Sequence, residues 1–225
     1  MAEDLGTSGP SRLIPARDFF RQGRVFCFIA RMEMLEIVHA DTGQSTGVCL
    51  PRADAIAQRA WCRSTNIFIL NHAGEVLCHQ RSFGKERLPG TWMTHLGGHV
   101  AVGETYESNA RKEIEEEAGI RLAHLPLVAW RTTRVPEVRL WMREFVAVLD
   151  LPVEAFAPQP GEVERFAWCG PEEVVRRSAS GESWKAGTHG FLTDYACMRA
   201  AITAASTTGA APTAEHMHVW HPVAA

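Results

Sequence analysis

Residues 98–120 read GHVAVGETYESNARKEIEEEAGI, and the rest of the chain is best understood outward from them. A glycine-rich start leads into residues that favour a helix. Thr105 or Glu104 supplies the N-terminal cap, the helix runs to about Ala118, and Gly119 offers the left-handed residue that ends it. Ala110, Ile114 and Ala118 recur every fourth position, which predicts one apolar stripe packed on a sheet. Glu113, Glu116 and Glu117 stand at i, i+3 and i+4, so they converge on another face. Like charges at that spacing repel, and helix stability does not ask for them. Three carboxylates facing one spot suit a hard divalent cation, which relieves the repulsion. Lys112, four residues before Glu116, offsets part of the charge. On charge pattern alone the same residues also fit a solvated acidic face, with Arg111 and Glu115 paired across one turn.

Spacing separates these readings. The segment resembles the box of the Nudix hydrolase family, Gly-x5-Glu-x7-Arg-Glu-U-x-Glu-Glu-x-Gly-U, where U is a bulky aliphatic residue. Gly98, Glu104, Glu113, Ile114, Glu116, Glu117, Gly119 and Ile120 fall on it, eight of the nine specified positions. The ninth is Lys112, where the family has Arg; lysine keeps the charge and loses the planar fork. The resemblance implies an α+β fold, an α/β/α sandwich whose mixed sheet is flanked by helices, with the box as loop, helix and loop. It also implies a diphosphatase: water attacks a diphosphate linkage in a nucleoside diphosphate derivative or related compound, with Mg²⁺ or Mn²⁺ as cofactor. Glu113, Glu116 and Glu117 would then hold the metal and carry catalysis with Lys112. One of these glutamates, or a neighbouring carboxylate, takes the proton. Glu104 supports the loop or completes the metal site.

Flanking residues resemble the family's subgroup related to isopentenyl-diphosphate isomerase. They include residues 63–71, 76–81, 88–92 and 97–99, a strand unit around residues 34–48, and downstream residues 162–168 and 171–173; the likeness covers about residues 33–200. That subgroup's isomerase uses a cysteine immediately before the Gly-His of the loop, and here the position is Gly97. The full carboxylate box and the missing cysteine favour hydrolysis. An isomerase-like enzyme and a non-catalytic Nudix-fold binding or regulatory module are the alternatives. His99 resembles a metal ligand of the isomerase and is otherwise a polar loop filler. With Gly97 and Gly98 it is assigned to the substrate side, as are Arg81, Lys85 and Arg87, which can clamp a diphosphate. Glu162 is the candidate for a further metal-binding carboxylate, with Glu164 as competitor. Trp92, Trp130 and Trp141 fit the core better than a base-stacking role.

Composition sets the outer limits. With 46% hydrophobic and 22% charged residues the 225-residue chain has ordinary globular usage, which argues against wholesale disorder. A net charge of −3 provides no basic field, so a nucleic-acid polymer is not an expected partner. No apolar run approaches the roughly 18 residues that a membrane span needs, and the acidic N-terminus lacks a signal-peptide core. A cytoplasmic enzyme acting on a small molecule is expected, with a homodimer left open. Six cysteines without a Cys-x-x-Cys pair read as reduced, mostly buried thiols.

The expected division is a flexible leader over residues 1–20, an N-terminal β/α extension over 21–60, the Nudix domain over 61–205 and a flexible tail over 206–225. Strands are expected at residues 25–30, 35–38, 127–134, 140–149 and 163–168, with a hairpin over 66–80. Helices are expected at 53–61, 171–177 and 190–204. The tail histidines 216, 218 and 221 could bind a metal, but no residues nearby in the sequence stand out as partners to orient their rings.

Overall fold

The computed structural model describes residues 14–15, 33–120, 125–158, 160–185, 188–208 and 219–220. The centre of the molecule is β4 (Cys62–Leu70), an almost wholly buried strand running parallel to β8 (Leu140–Val148) over nine residue pairs. Burial on both faces explains the run Ile67-Phe68-Ile69-Leu70, which is apolar at successive positions instead of alternating. β7 (Val128–Val135) pairs antiparallel with β8, and the two-residue β10 (Val219–Trp220) pairs parallel with β7. On the other side of β4 lie β5 (Val76–Arg81) and β6 (Trp92–Met93), and β9 (Val163–Cys169) pairs with β5. Parallel and antiparallel neighbours mix in this seven-stranded sheet.

Helices cover both faces. Alternate residues Ile67, Ile69, Phe145 and Ala147 meet Ala110, Ile114 and Ala118 of α2 (Tyr106–Ala118). Their neighbours Phe68, Leu70 and Val146 point the other way, towards Val174 of α3 (Pro171–Ala179) and Phe191 and Met198 of α4 (Phe191–Thr208). This is the expected α/β/α arrangement, and the stripe spaced by four on α2 is the face that packs. Trp92 is buried and stacks on Trp184 with centroids 5.8 Å apart, and Trp130 packs with the α4-side cluster.

Ahead of the large sheet sits a small one. β2 (Met34–Val38) and β3 (Ser45–Pro51) form an antiparallel pair, and the two-residue β1 (Ile14–Pro15) adds to β3. A short helix, α1 (Arg52–Ala57), returns the chain to β4. The helix expected over residues 53–61 stops early because Arg59 adopts φ 52, and Trp61 is drawn into the interior at the start of β4. The strand expected at residues 25–30 and histidines 216, 218 and 221 lie outside the described residues. Cys49, Cys62, Cys78 and Cys169 are buried free thiols, and Cys197 is an exposed one.

Candidate active site

Local chemistry starts helix α2 cleanly. Thr105 Oγ1 accepts from Ser108 N at 3.0 Å and Ser108 Oγ accepts from Thr105 N at 2.9 Å, a reciprocal capping box. Gly119 closes the helix at φ 70. The loop before it is bound just as tightly. Glu104 Oε2 accepts from Ala101 N at 2.9 Å, and Lys112 Nζ lies 3.1 Å from Glu104 Oε1. Burial opposes ionisation of Glu104, but the Ala101 N–H and Lys112 together hold its pKa below the usual value. Glu104 therefore fastens the loop to the helix.

The loop brings two glycines against the glutamates. A Cβ on Gly98 would stand 2.5 Å from Glu113 Oε1, so only glycine leaves room for that carboxylate. Gly97 has φ +149, and a Cβ there would meet the Thr65 carbonyl oxygen at 2.0 Å. Its N–H donates to Glu117 Oε2 at 2.9 Å. The cysteine that the isomerase uses before the Gly-His has no room in this backbone.

Glu113 and Glu117 are nearly buried, at 8% and 7% exposure. Burial raises the Glu113 pKa to about 7 despite Lys112, with Glu116 and Glu33 adding to the rise. Burial likewise raises Glu117 to about 8, against the Gly97 N–H, with Glu113 and Glu162 adding to it. These carboxylates are held out of water; Lys112 Nζ stands 3.8 Å from Glu113 Oε1, farther than a direct hydrogen bond.

Glu113, Glu116 and Glu117 line one cleft of about 880 Å³, together with Glu104 and Lys112. Glu162 lines it as well, from the turn before β9, and its Oε2 lies 2.5 Å from Lys85 Nζ. Arg81, Lys85, Gly97, Gly98 and His99 complete the predicted residues that the cleft gathers. Arg87 is exposed and does not line it, although its carbonyl accepts from Arg81 Nε at 3.3 Å. Glu164 is exposed and stands outside the cleft. His99 is pushed down to about 4 by burial and then by Arg52, which keeps its ring neutral. Among the described residues no three His, Cys, Asp or Glu side chains stand ready together to hold a metal. The glutamates share the cleft, where Glu117 is bonded to the Gly97 N–H and Glu113 to the Asn109 amide.

Asn109 was not singled out by the sequence. It is fully buried one turn before Glu113. Its amide nitrogen donates to the His99 carbonyl at 2.9 Å, Glu104 Oε2 at 3.1 Å and Glu113 Oε1 at 3.3 Å. Its Oδ1 accepts from Thr65 Oγ1 at 2.6 Å. The i, i+4 spacing of Asn109 and Glu113 was the available signal. Glu33, Met34, Cys49 and Arg52 also line the cleft and were likewise not anticipated there.

Residues 61–188, more than half of the chain, match the family model for the NUDIX domain. The chain belongs to the Nudix hydrolase family. Several of the relatives it matches are named Nudix hydrolases. It is 35% identical over 131 residues to an uncharacterised Nudix hydrolase of Pseudomonas aeruginosa, covering 58% of this chain and 76% of the relative. It is 29% identical over 146 residues to an isopentenyl-diphosphate Delta-isomerase of Nocardia farcinica, covering 62% and 81%. A crystal structure of a Deinococcus radiodurans protein superposes with a TM-score of 0.59 at 24% identity, over 75% of this Nudix chain and 99% of that one. The last comparison shows the α+β Nudix fold.

Proposed function

We propose that this Nudix hydrolase is metal-dependent and cleaves a diphosphate linkage in a nucleoside diphosphate derivative or related compound. The observation that carries the reading is the buried pair Glu113 and Glu117 beside Glu116, in a cleft that also holds Arg81 and Lys85. The donor set fits a hard divalent cation: all-oxygen, multiply anionic, and desolvated enough that carboxylate pKa values are already raised. Mg²⁺ or Mn²⁺ held by Glu113, Glu116 and Glu117, with Glu104 or Glu162 in reach, would neutralise phosphoryl oxygens and acidify a bound water.

The chain's own residues do the rest. Arg81 and Lys85, which line the same cleft, bind the diphosphate oxygens. The Gly97 N–H fixes Glu117, and Asn109 and Lys112 orient Glu113 and Glu104. One glutamate accepts the proton as the water oxygen bonds to phosphorus. The bridging P–O bond then breaks, and the leaving phosphate oxygen departs with its electron pair. Gly97 favours this over isomerisation, which needs an acid or base beside a carbon–carbon double bond; glycine has no side chain to supply it.

The division into leader, N-terminal extension, Nudix domain and tail is part of the same proposal, as are a cytoplasmic location and a small-molecule substrate. A homodimer is compatible with it. No helix among the described residues is long and apolar enough to cross a membrane. Hydrolysis of diphosphate compounds in ¹⁸O-labelled water tests the reading. The label is expected in a phosphate product and only with Mg²⁺ or Mn²⁺ present. Deuterium exchange into isopentenyl diphosphate without any hydrolysis would instead support the isomerase.

A further inference from the structure

The family match begins at residue 61, yet part of the cleft wall comes from before it. Glu33, Met34, Cys49 and Arg52 all belong to the N-terminal unit. The unit is fastened to the glycine loop, because Leu35 bridges to Ala101 and Val102 N donates to the Met34 carbonyl at 2.9 Å. Arg63 donates to Glu36 across the same seam at 2.7 Å. Within the wall, Arg52 Nη1 donates to Glu33 Oε2 at 2.7 Å, and Arg52 N donates to the Glu33 carbonyl at 2.8 Å.

The Glu33–Arg52 pair and the cations Arg81 and Lys85 reach the same cleft from different parts of the chain, the pair from the N-terminal unit and the cations from β5 and the loop after it. Lys85 is held there by Glu162, with Nζ 2.5 Å from Oε2. At about 880 Å³ the cleft lies near the upper end of small-molecule sites, with room for more than a diphosphate.

We propose that the Glu33–Arg52 pair determines specificity by holding a sugar ring with vicinal hydroxyls attached to the diphosphate. The inference rests on the diphosphatase reading. A carboxylate accepts from neighbouring hydroxyls, and a guanidinium donates to their oxygens, so the pair meets both needs of a diol. Together the two charges cancel, which suits a neutral hydroxylated group better than another phosphate. Met34 and Val102 bring apolar side chains to the same wall, a surface for the ring's C–H face. The diol belongs either to the ribose of a nucleoside or to a sugar linked beyond the diphosphate.

The test is steady-state kinetics of wild type, Arg52→Gln and Glu33→Gln with Mg²⁺ or Mn²⁺ on ATP, 2′,3′-dideoxy-ATP and UDP-glucose. For a diol-bearing substrate KM is expected to rise about tenfold, with kcat within about threefold and the melting temperature unchanged. Dideoxy-ATP is expected to respond to neither variant. Arg52→Lys, which keeps the charge without the fork, should recover part of the KM. An effect on ATP and UDP-glucose assigns the ribose; an effect on UDP-glucose alone assigns the distal sugar. Equal effects on dideoxy-ATP, no effect on any substrate, or a wild type that cleaves dideoxy-ATP but neither diol compound overturns the inference while the diphosphatase reading stands. A wild type that cleaves no diphosphate compound overturns both.

Discussion

Glu144 on β8 and Glu117 on α2 are both nearly buried, yet they belong to different kinds of site. Glu144 is bonded to Arg131 Nε from the neighbouring strand, and Arg131 reaches on to both oxygens of Asp194 on α4, at 2.7 and 3.2 Å. The two carboxylates raise the guanidinium's pKa above its usual value in spite of burial. Glu144 has a cation bonded directly to it inside the fold, and the network ties β7, β8 and α4 together. Glu117 has a backbone N–H and a neighbouring carboxylate, and burial leaves its pKa high. A balanced buried carboxylate serves architecture. An unbalanced one, in a cleft with others like it, is a group kept for something that binds.

Breaking the balanced region should have the largest effect. Arg131→Met leaves Glu144 buried without its cation and should cost about 3–5 kcal/mol of stability, measured by chemical denaturation. Arg131→Met/Glu144→Leu should recover much of that loss. If Arg131→Met unfolds with the wild-type midpoint, the two regions do not differ as described.

In the unbalanced region the effects should invert. Glu117→Gln should lower kcat by roughly 10²–10⁴-fold, while the metal-free protein melts at or above the wild-type temperature, because a buried amide carries no charge to desolvate. Steady-state kinetics beside calorimetry of the same preparation reads both. A variant that loses activity only in step with stability would make Glu117 structural.

The pH dependence of stability sharpens the contrast further. Glu113 and Glu117 titrate near 7 and 8 in the fold, against about 4.3 for an unperturbed glutamate. Between those values the folded state holds more protons than the unfolded one. The stability these groups contribute is therefore complete below about pH 4.3 and is lost as pH rises through 7 and 8. Chelator-treated wild type should lose melting temperature from pH 5.5 to 8.5 more steeply than Glu113→Gln/Glu117→Gln. Equal slopes would show that burial does not strain these carboxylates.

The smallest effect is expected at position 112. Lys112→Arg should preserve or modestly raise activity, because a planar fork can serve Glu104 and Glu113 together. A large loss of kcat with the fold intact would mean that lysine has a role of its own beside Glu104.

Much of the helix and its loop is legible in the sequence. Capping residues, a stripe spaced by four and a left-handed glycine are local signals, read within one turn of chain, and α2 starts and stops where they say. The hairpin expected over residues 66–80 is there as β4 and β5, but burial of β4 on both faces became visible only in the fold. The site residues beyond the box were legible only as residue types. Arg81 and Lys85 line the cleft and Arg87 does not, because the path of the loop between β5 and β6 decides which of three cations turns inward.

What the sequence by itself determined is the carboxylate helix and its glycine loop, which short-range spacing and periodicity carry, and the α+β class, which the resemblance of that segment to a known family implies. Tertiary structure alone decided which distant residues meet that helix. Glu162 reaches Lys85 only because β9 pairs with β5, and Glu33 and Arg52 reach the cleft only because β2 docks on the glycine loop. Even Asn109, close in sequence to Glu113, acquires its role from Thr65 on β4 and the His99 carbonyl. Such contacts depend on sheet order and register, which are settled by how whole faces bury against one another and leave no mark in the local spacing of residues.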